Sequence, residues 1–511
     1  MKKKILGIFI CTLLIASALP AVGTINKIEE REIPSFYQSG VEWMNTYGGD
    51  EHDWLYHIQP TSDDGYIAAG LTEEDNMFYP WILKVDVDGE EEWSEVNYYT
   101  NGSEIPNEIL VMCVRETTQP YDGYVVGGWG QWYDEINEWW ATVGFLWLVN
   151  QSGETMGGNI IGWQDPPGTM FPFNVMVVDD GYICSGAHYE NNLGDVGLVK
   201  LDFDLNIEWK HHYDHDGSNI EYARTLWLCD DGYFLGGTIE DTPDQEQLLM
   251  MKVDSDGIEE WSSIFGGPST EYCDTMSGRQ TADGGFIISC TTYSYGAGGS
   301  DVWVVKTDAD GDMEWNRTYG NEDHERNYGM TETVDGDYAL VCIDNAYSFG
   351  GTKDDAWILI IDAEGNPEWE FLLEEEGTQW TQAIEQTVDK GFIISGRTGA
   401  WASSNSDGLI LKVGPFPQLD FDLKGGFGVK AKITNNGEGD AVGAPYEITV
   451  KGGILGMINK TLNGTIDIES GATETIPIGL LLGFGPFTVK ITVGVKEEIK
   501  KGFNVFAFSL V

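Results

Sequence analysis

The chain has 511 residues, with 84 Asp and Glu against 28 Lys and Arg, a formal net charge of −56. Such a polyanion lacks the basic surface that nucleic acid requires, and 41% hydrophobic with 12% aromatic residues excludes long disorder. Gly at 65 and Trp at 19 residues suit many short strands joined by tight turns.

Lys2, Lys3 and Lys4 precede an apolar run from Ile5 to Leu19, and the small residues Ala21 and Gly23 follow. This order predicts a secretory signal over residues 1–23. At about 15 residues the run falls short of the roughly 20 that cross a bilayer. The expectation is a secreted or cell-surface protein with no transmembrane anchor after cleavage. Residues 24–39 read as a linker.

From there a repeat takes over. An aromatic after a Gly- or Asp-rich turn recurs at Tyr66, Tyr124, Tyr182, Tyr233, Phe286, Tyr338 and Phe392, at spacings of 58, 58, 51, 53, 52 and 54. Each opens an apolar run ending in small residues, as in GYIAAG, GYICSG and GFIISG. A second apolar strand follows (WILKVD, MMKVD, WVVKTD), then a turn such as DVDG, DSDG or DADG. A strand carrying Trp93, Trp209, Trp261, Trp315 or Trp369 closes the unit. With one strand before each aromatic, a unit holds four short strands in about 50 residues, the size of a β-propeller blade. The second unit departs most: GETMGG, Gly153 to Gly158, has no closing Trp.

The seventh unit ends after its third strand, at Val413, and the missing strand stands at the other end of the chain. GVEWMNTYGG, Gly40 to Gly49, matches the closing strands of Trp261 and Trp315. The predicted fold is therefore all-β: a seven-bladed β-propeller over 40–414, closed by an N-terminal strand. Residues 415–511 lose Trp and gain Lys. Their alternating segments, such as GVKAKITN and FTVKITVGV, predict a C-terminal immunoglobulin-like β-sandwich.

On these motifs the chain resembles the secreted seven-bladed propeller repeat proteins of archaea and bacteria, grouped with quinoprotein-like and kelch-like propellers. The resemblance covers 40–414 and implies a fold, not an activity. The sandwich resembles the add-on domains of archaeal surface proteins, which implies spacing or retention at the envelope.

The chemical candidates are few. Outside the signal lie Cys113, Cys184, Cys229, Cys273, Cys290 and Cys342. Cys290 and Cys342 occupy the slot of Gly70, Gly186, Gly237 and Gly396, so all six are expected to be buried free thiols. The DxDG turns place Asp308, Asp310 and Asp312 together; they read as hairpin turns, with calcium as the alternative. In KHHYDHD, His211 and His212 must face opposite sides of a strand, so no metal site is assigned and no cofactor is expected. GxSxG, HExxH and a phosphate-binding glycine loop are missing in usable context, and no catalytic residue is assigned.

The loops between second and third strands draw most attention, because one face of a propeller gathers them. WGQWYDEINEWWATVG, Trp129 to Gly144, holds Trp129, Trp132, Tyr133, Trp139 and Trp140 beside Asp134, Glu135 and Glu138. Tyr293, Tyr295, Tyr347 and Trp401 stand in the matching loops of later units. Aromatic faces beside acids suit sugar rings. The expectation is a non-catalytic protein presenting these loops to a glycan or protein ligand. A polysaccharide hydrolase with paired carboxylates and a structural envelope component are the alternatives.

Overall fold

The computed structural model describes residues 40–511 apart from 76, 97–108, 119, 135–138, 165–166, 191–192, 216–220, 243–244, 275, 345–353, 374–377, 400–404, 507 and 511. The predicted signal and linker lie outside the described residues. Apart from a 3-10 turn at Ile454–Gly456, the regular structure described is all strand.

Each repeat folds into antiparallel strands paired in the order in which they occur. Asp53–Pro60, Tyr66–Glu74, Met77–Val85 and Glu91–Val96 form one such sheet; Arg326–Glu332, Tyr338–Asp344, Asp355–Ile361 and Pro367–Leu373 form another. The second and third repeats merge into one eight-stranded sheet. Here the closing strand Thr155–Gln164 pairs with Pro167–Val178, the next repeat's first strand, from Gln164↔Pro167 to Gly162↔Thr169. In the fifth repeat the first strand is split into Glu271–Tyr272 and Gly278–Gln280.

The first strands touch in a closed cycle. Asp53–Pro60 lies against Ile109–Thr117, followed in turn by Pro167–Val178, Glu221–Cys229, Gly278–Gln280, Arg326–Glu332 and Gln379–Gln386, which returns to Asp53–Pro60. The molecule is a β-propeller, and these inner strands surround its axis. Val41–Tyr47 pairs with Gly408–Val413, Trp43 opposite Lys412 and Tyr47 opposite Gly408. The pairing of the two ends expected from GVEWMNTYGG is present.

The closing strands explain why this sequence makes a ring. Five closing Trp residues lie over the glycine that ends the matching turn of the following repeat: Trp43 at Gly89, Trp93 at Gly153, Trp209 at Gly257, Trp261 at Gly311 and Trp315 at Gly365. The turn glycine needs both a positive φ and the lack of a side chain. At Gly311, φ is +81° and a β-carbon would come within 2.6 Å of the Trp261 ring. Two residues past the Trp, a polar side chain donates to the same turn: Asn45 to Gly89 O at 3.0 Å, Ser263 to Gly311 O at 3.0 Å, Arg317 to Glu364 O at 2.9 Å. Four past it, Tyr47, Tyr213 and Tyr319 donate to Gly89, Gly257 and Gly365 carbonyls at 2.5, 2.7 and 2.6 Å.

The exception follows the same logic. In the second repeat Gly157 pairs with Leu148 where Trp93 pairs with Lys84, so no indole covers the next turn. That turn carries Leu205 instead of Gly, at φ 61° and 3% exposed. Its side chain packs into the core between the two repeats, and Asn159 still donates to its carbonyl at 2.8 Å.

A second repeated device uses lysine. Lys84, Lys200, Lys252, Lys306 and Lys412 are buried, and each ammonium bridges an acid before the second strand and one on the closing strand. Lys306 meets Asp283 at 3.0 Å and Glu314 at 2.8 Å. Lys412 meets Asp389 at 2.8 Å and Glu42 at 3.1 Å, so this clasp also joins the two ends of the ring. Leu148 and Ile360 stand in the lysine position of the second and sixth repeats.

One expectation is corrected. Cys273 and Cys290 form a disulfide with Cα atoms 4.5 Å apart; Cys113, Cys184, Cys229 and Cys342 are free. The comparison of equivalent slots across repeats excluded bridges between repeats but not within one. Cys273 lies in the break of the fifth inner strand, where the chain passes next to the second strand of its own sheet.

After Val413 the chain builds two further sheets. Leu419–Lys424, Val429–Asn435 and Thr473–Gly479 form one; Ala441–Gly452, Ile458–Ile468, Gly483–Val493 and Lys496–Phe506 lead the other. Strict alternation, as in Leu419, Phe421 and Leu423 buried against exposed Asp420, Asp422 and Lys424, gives each sheet one apolar face. The two faces enclose a core that includes Ile433, Ile448, Val450, Val489 and Ile491. Trp369 packs against this core and the propeller's, and Lys496 pairs with Glu368.

Three outcomes follow from these contacts. Gly311→Ala should cost about 2 kcal/mol or more, because it adds left-handed strain and a clash with Trp261; denaturant or thermal unfolding reads this. Burial alone would raise the Asp283 carboxyl, but hydrogen bonds from Thr281, Gly285 N–H and Lys306 hold it down at about 2. Its contribution is present above the unfolded value of about 3.9 and lost as pH falls toward 2. Asp283→Asn should therefore lower stability at pH 7, by no more than about 1 kcal/mol for so exposed an acid, seen as a lower melting temperature, and the difference should shrink as pH falls through about 2. Thiol titration of the denatured, unreduced chain from residue 40 should find the four thiols of Cys113, Cys184, Cys229 and Cys342, with two more after reduction of the bridge.

Candidate functional site

The sequence has seven arginines, and four of them, Arg115, Arg224, Arg279 and Arg326, stand on inner strands. Arg397 ends the second strand of the seventh repeat, paired with Trp380 of its inner strand. In a chain of net charge −56, five of the seven arginines thus gather about the axis.

The inner strands are built to aim side chains there. A register shift at the same level leaves one residue unpaired in six of them: Tyr56, Met112, Phe173, Arg224, Tyr328 and Gln382. A bulge of this kind turns its extra side chain away from the ladder. The Tyr56 hydroxyl, from the first repeat, feels Arg397, Asp274 and Arg224 of the seventh, fifth and fourth, while burial pushes its ionisation well above the usual tyrosine value. Groups from opposite sides of the ring are therefore within electrostatic reach of one another.

Two layers result. Toward the ends of the inner strands, charge is balanced. Arg115 reaches Glu385 at 3.7 Å and Gln59 at 3.3 Å, and Arg279 meets Glu332 at 3.6 Å while lying 3.9 Å over the Trp227 ring. Arg115 also reaches Met276 sulfur at 3.6 Å, which links the second repeat to the fifth. This layer is a plug of paired ions.

Where the inner strands begin, the arrangement changes. Arg224 lies over Phe173, Tyr222 and Tyr272 at 5.3, 5.0 and 5.1 Å. Arg326 lies over Tyr272 and Tyr328 at 4.7 and 5.0 Å. Arg397 lies over Trp54 and Trp380 at 4.3 and 4.7 Å, and Trp380 meets Tyr328 edge-on at 5.6 Å. Three guanidiniums alternate with aromatic rings along an arc from the third repeat to the first. Asp274 joins Arg224 at 3.0 Å to Arg326 at 3.5 Å. Burial raises the carboxyls of Glu246 and Asp354, each within electrostatic reach of this arc.

A guanidinium beside aromatic rings remains a planar fork of in-plane donors. Such forks match carboxylate, sulfate or phosphate oxygens. The rings beside them supply apolar faces.

The aromatic loop expected to bind is built otherwise. Trp129 to Gly144 is mostly a ribbon of two strands, Gly123–Asp134 and Trp139–Asn150, paired out to Asp134↔Trp139. Trp129 packs on Phe171 at 5.5 Å, which meets Tyr189 at 5.0 Å. Of Trp132, Tyr133, Trp139 and Trp140 only the strand backbone is described. Tyr295 donates to Gly266 O at 2.7 Å and packs on Trp303 at 5.5 Å; Tyr293 is 37% exposed. Tyr347 and Trp401 lie outside the described residues. The arginine arc was missed in reasoning from loop aromatics. Its signal was the scarcity of arginine combined with placement on first strands.

The DxDG turns engage their first carboxylate internally: Asp308 Oδ1 accepts the N–H groups of Asp310 and Asp312, each at 3.0 Å. His211 and His212 lie on opposite sides of their strand, as expected. His211 Nε2 meets Asp256 O at 3.0 Å, whereas His212 stacks on His188 with ring centres 4.9 Å apart.

No family model and no curated protein sequence matches the chain. Among solved structures it is similar to dihydro-heme d1 dehydrogenase NirN, with TM-score 0.39 and 12% identity over 72% of this chain and 75% of that one. It is similar to NanB sialidase from Streptococcus pneumoniae, with TM-score 0.40 and 8% identity over 73% and 70%. A likeness to an endo-arabinase from Bacteroides thetaiotaomicron has TM-score 0.28 and 11% identity over 47% and 92%.

Proposed function

We propose that this is an exported, surface-associated binding protein whose ring of seven blades holds an acidic glycan at the axis. The carrying observation is the arc of Arg224, Arg326 and Arg397 interleaved with Tyr272, Tyr328, Trp54 and Trp380. A uronate-type sugar offers both a carboxylate for the forks and a C–H face for the rings. Charge supports this choice. The acidic body of the protein repels anions generally, so an anion is held only where guanidiniums are concentrated and partly withdrawn from water. The residues after Val413 serve as an immunoglobulin-like spacer that keeps the ring at the envelope; their two-sheet core and strand count support that reading. Export rests on the basic, apolar and small residues of 1–23. No helix among the described residues is long and apolar enough to cross a membrane.

Hydrolysis of the same glycans is the second reading. Glu246 favours it, a carboxyl raised by burial within reach of Arg224 and Arg326, the property of a general acid.

Calorimetry with oligogalacturonate and with neutral oligosaccharides of equal length tests the first reading. Arg326→Lys and Arg397→Lys keep the charge but lose the fork, and each should weaken oligogalacturonate binding at least tenfold, about 1.4 kcal/mol. Equal binding of charged and neutral sugars, or unchanged binding by both variants, sinks it. Release of reducing ends by the native chain, abolished in Glu246→Gln, would establish the second.

A further inference from the structure

The third repeat carries a group of side chains that the arginine arc does not use. His188 lies on Gly181–Glu190, Asp195 on Leu193–Leu201 and His212 on the closing strand Ile207–Tyr213. Asp195 is directly opposite His188. His212 is opposite Gly197, which in turn is opposite Gly186. Residues two apart on a strand share a face, so His188, Asp195 and His212 stand on one side of three neighbouring strands.

The two glycines matter. A β-carbon at Gly186 would strike Phe171 O at 1.9 Å, and one at Gly197 would touch Met170 and the His188 backbone nitrogen at 3.4 Å. With no side chain at either position, the rings of His188 and His212 lie 4.9 Å apart, nearly parallel at 21°. His188 Nδ1 lies 3.8 Å from Asp195 Oδ2, and one ligand atom from each of the three residues falls within 4.8 Å of the others. Burial is graded: His188 is buried, Asp195 half-buried, His212 exposed. The exposed imidazole is the ligand with room to rotate.

We infer that His188, Asp195 and His212 bind a first-row divalent transition ion. Two imidazole nitrogens and one carboxylate oxygen suit zinc and its neighbours, and three protein ligands leave a position for solvent or another ligand. His188 is a prepared donor. Its ring is buried, with Nδ1 3.8 Å from Asp195 Oδ2, so packing fixes its position. Lys210 opposes the ion's charge, and the Asp195 carboxylate offsets it. An ion held here ties three consecutive strands of one blade together, and binding to the folded state alone raises stability.

His211 supplies the control. It neighbours His212 but faces away, toward Asp256 O. The full chain, stripped with chelator and held at moderate salt to suppress diffuse binding to surface acids, is titrated with Zn2+ by calorimetry and with Co2+ by its visible d–d bands. The expected result is one ion per chain with a rise in melting temperature. Affinity should fall at least tenfold in His212→Ala and in Asp195→Asn, and remain unchanged in His211→Ala. Equal affinity in His212→Ala and the parent, or no stoichiometric ion in the parent, overturns the inference.

Discussion

Five of the seven repeats of this protein brace the repeat that follows in the same way. The closing strand lays an indole over the next turn's glycine, and polar side chains two and four residues on donate to the same turn. Such a contact has direction, so a linear array would leave one turn uncovered and one indole bare. Closing the ring covers the first turn with an indole from the last sheet, which leaves only Trp369 among the closing Trp residues without a turn beneath it. Trp43 does this by completing the sheet of Gly408–Val413 and covering Gly89. At the far side of the array, Trp369 has no following DxDG turn, and the first residues of the sandwich together with the sandwich core take its place.

Electrostatics is arranged with similar economy. The chain is strongly acidic, yet its buried lysines are each matched by two carboxylates, and the lower axial arginines are matched by Glu332 and Glu385. Paired charges of this kind hold blades together without creating a site. At the opposite end, Arg224, Arg326 and Arg397 are fixed chiefly by aromatic stacking, with Asp274 shared between two of them. These three guanidiniums are therefore each set among two or more rings as well as acids, unlike the lysines and the other axial arginine pairs.

Backbone irregularity connects fold to site. The inner strands carry a bulge at one level in six repeats, and the fifth has a break stapled by Cys273–Cys290. That break positions Asp274 between Arg224 and Arg326. The disulfide was unforeseen because repeat alignment compares equivalent positions in different blades, and Cys273 occupies an insertion that has no equivalent.

The sequence by itself determined the repeat, its strand order and the pairing of Trp43 with the end of the last repeat, because period-2 burial, turn glycines and a displaced closing strand are all written locally. It also carried the lysine and Trp positions, although not what they touch. Only the tertiary structure decided which residues share the axis. Tyr56, Arg224 and Tyr328 occupy the same bulge position of three different repeats, whereas Asp274 and Arg397 stand elsewhere in theirs, and all five are far apart along the chain. What unites them is closure of the ring, a condition on all the blades at once that no local pattern encodes. The aromatics of the second repeat illustrate the converse: a conspicuous local cluster, much of which the structure places in a paired ribbon, because strand pairing extends as far as neighbouring backbone hydrogen bonds can be satisfied.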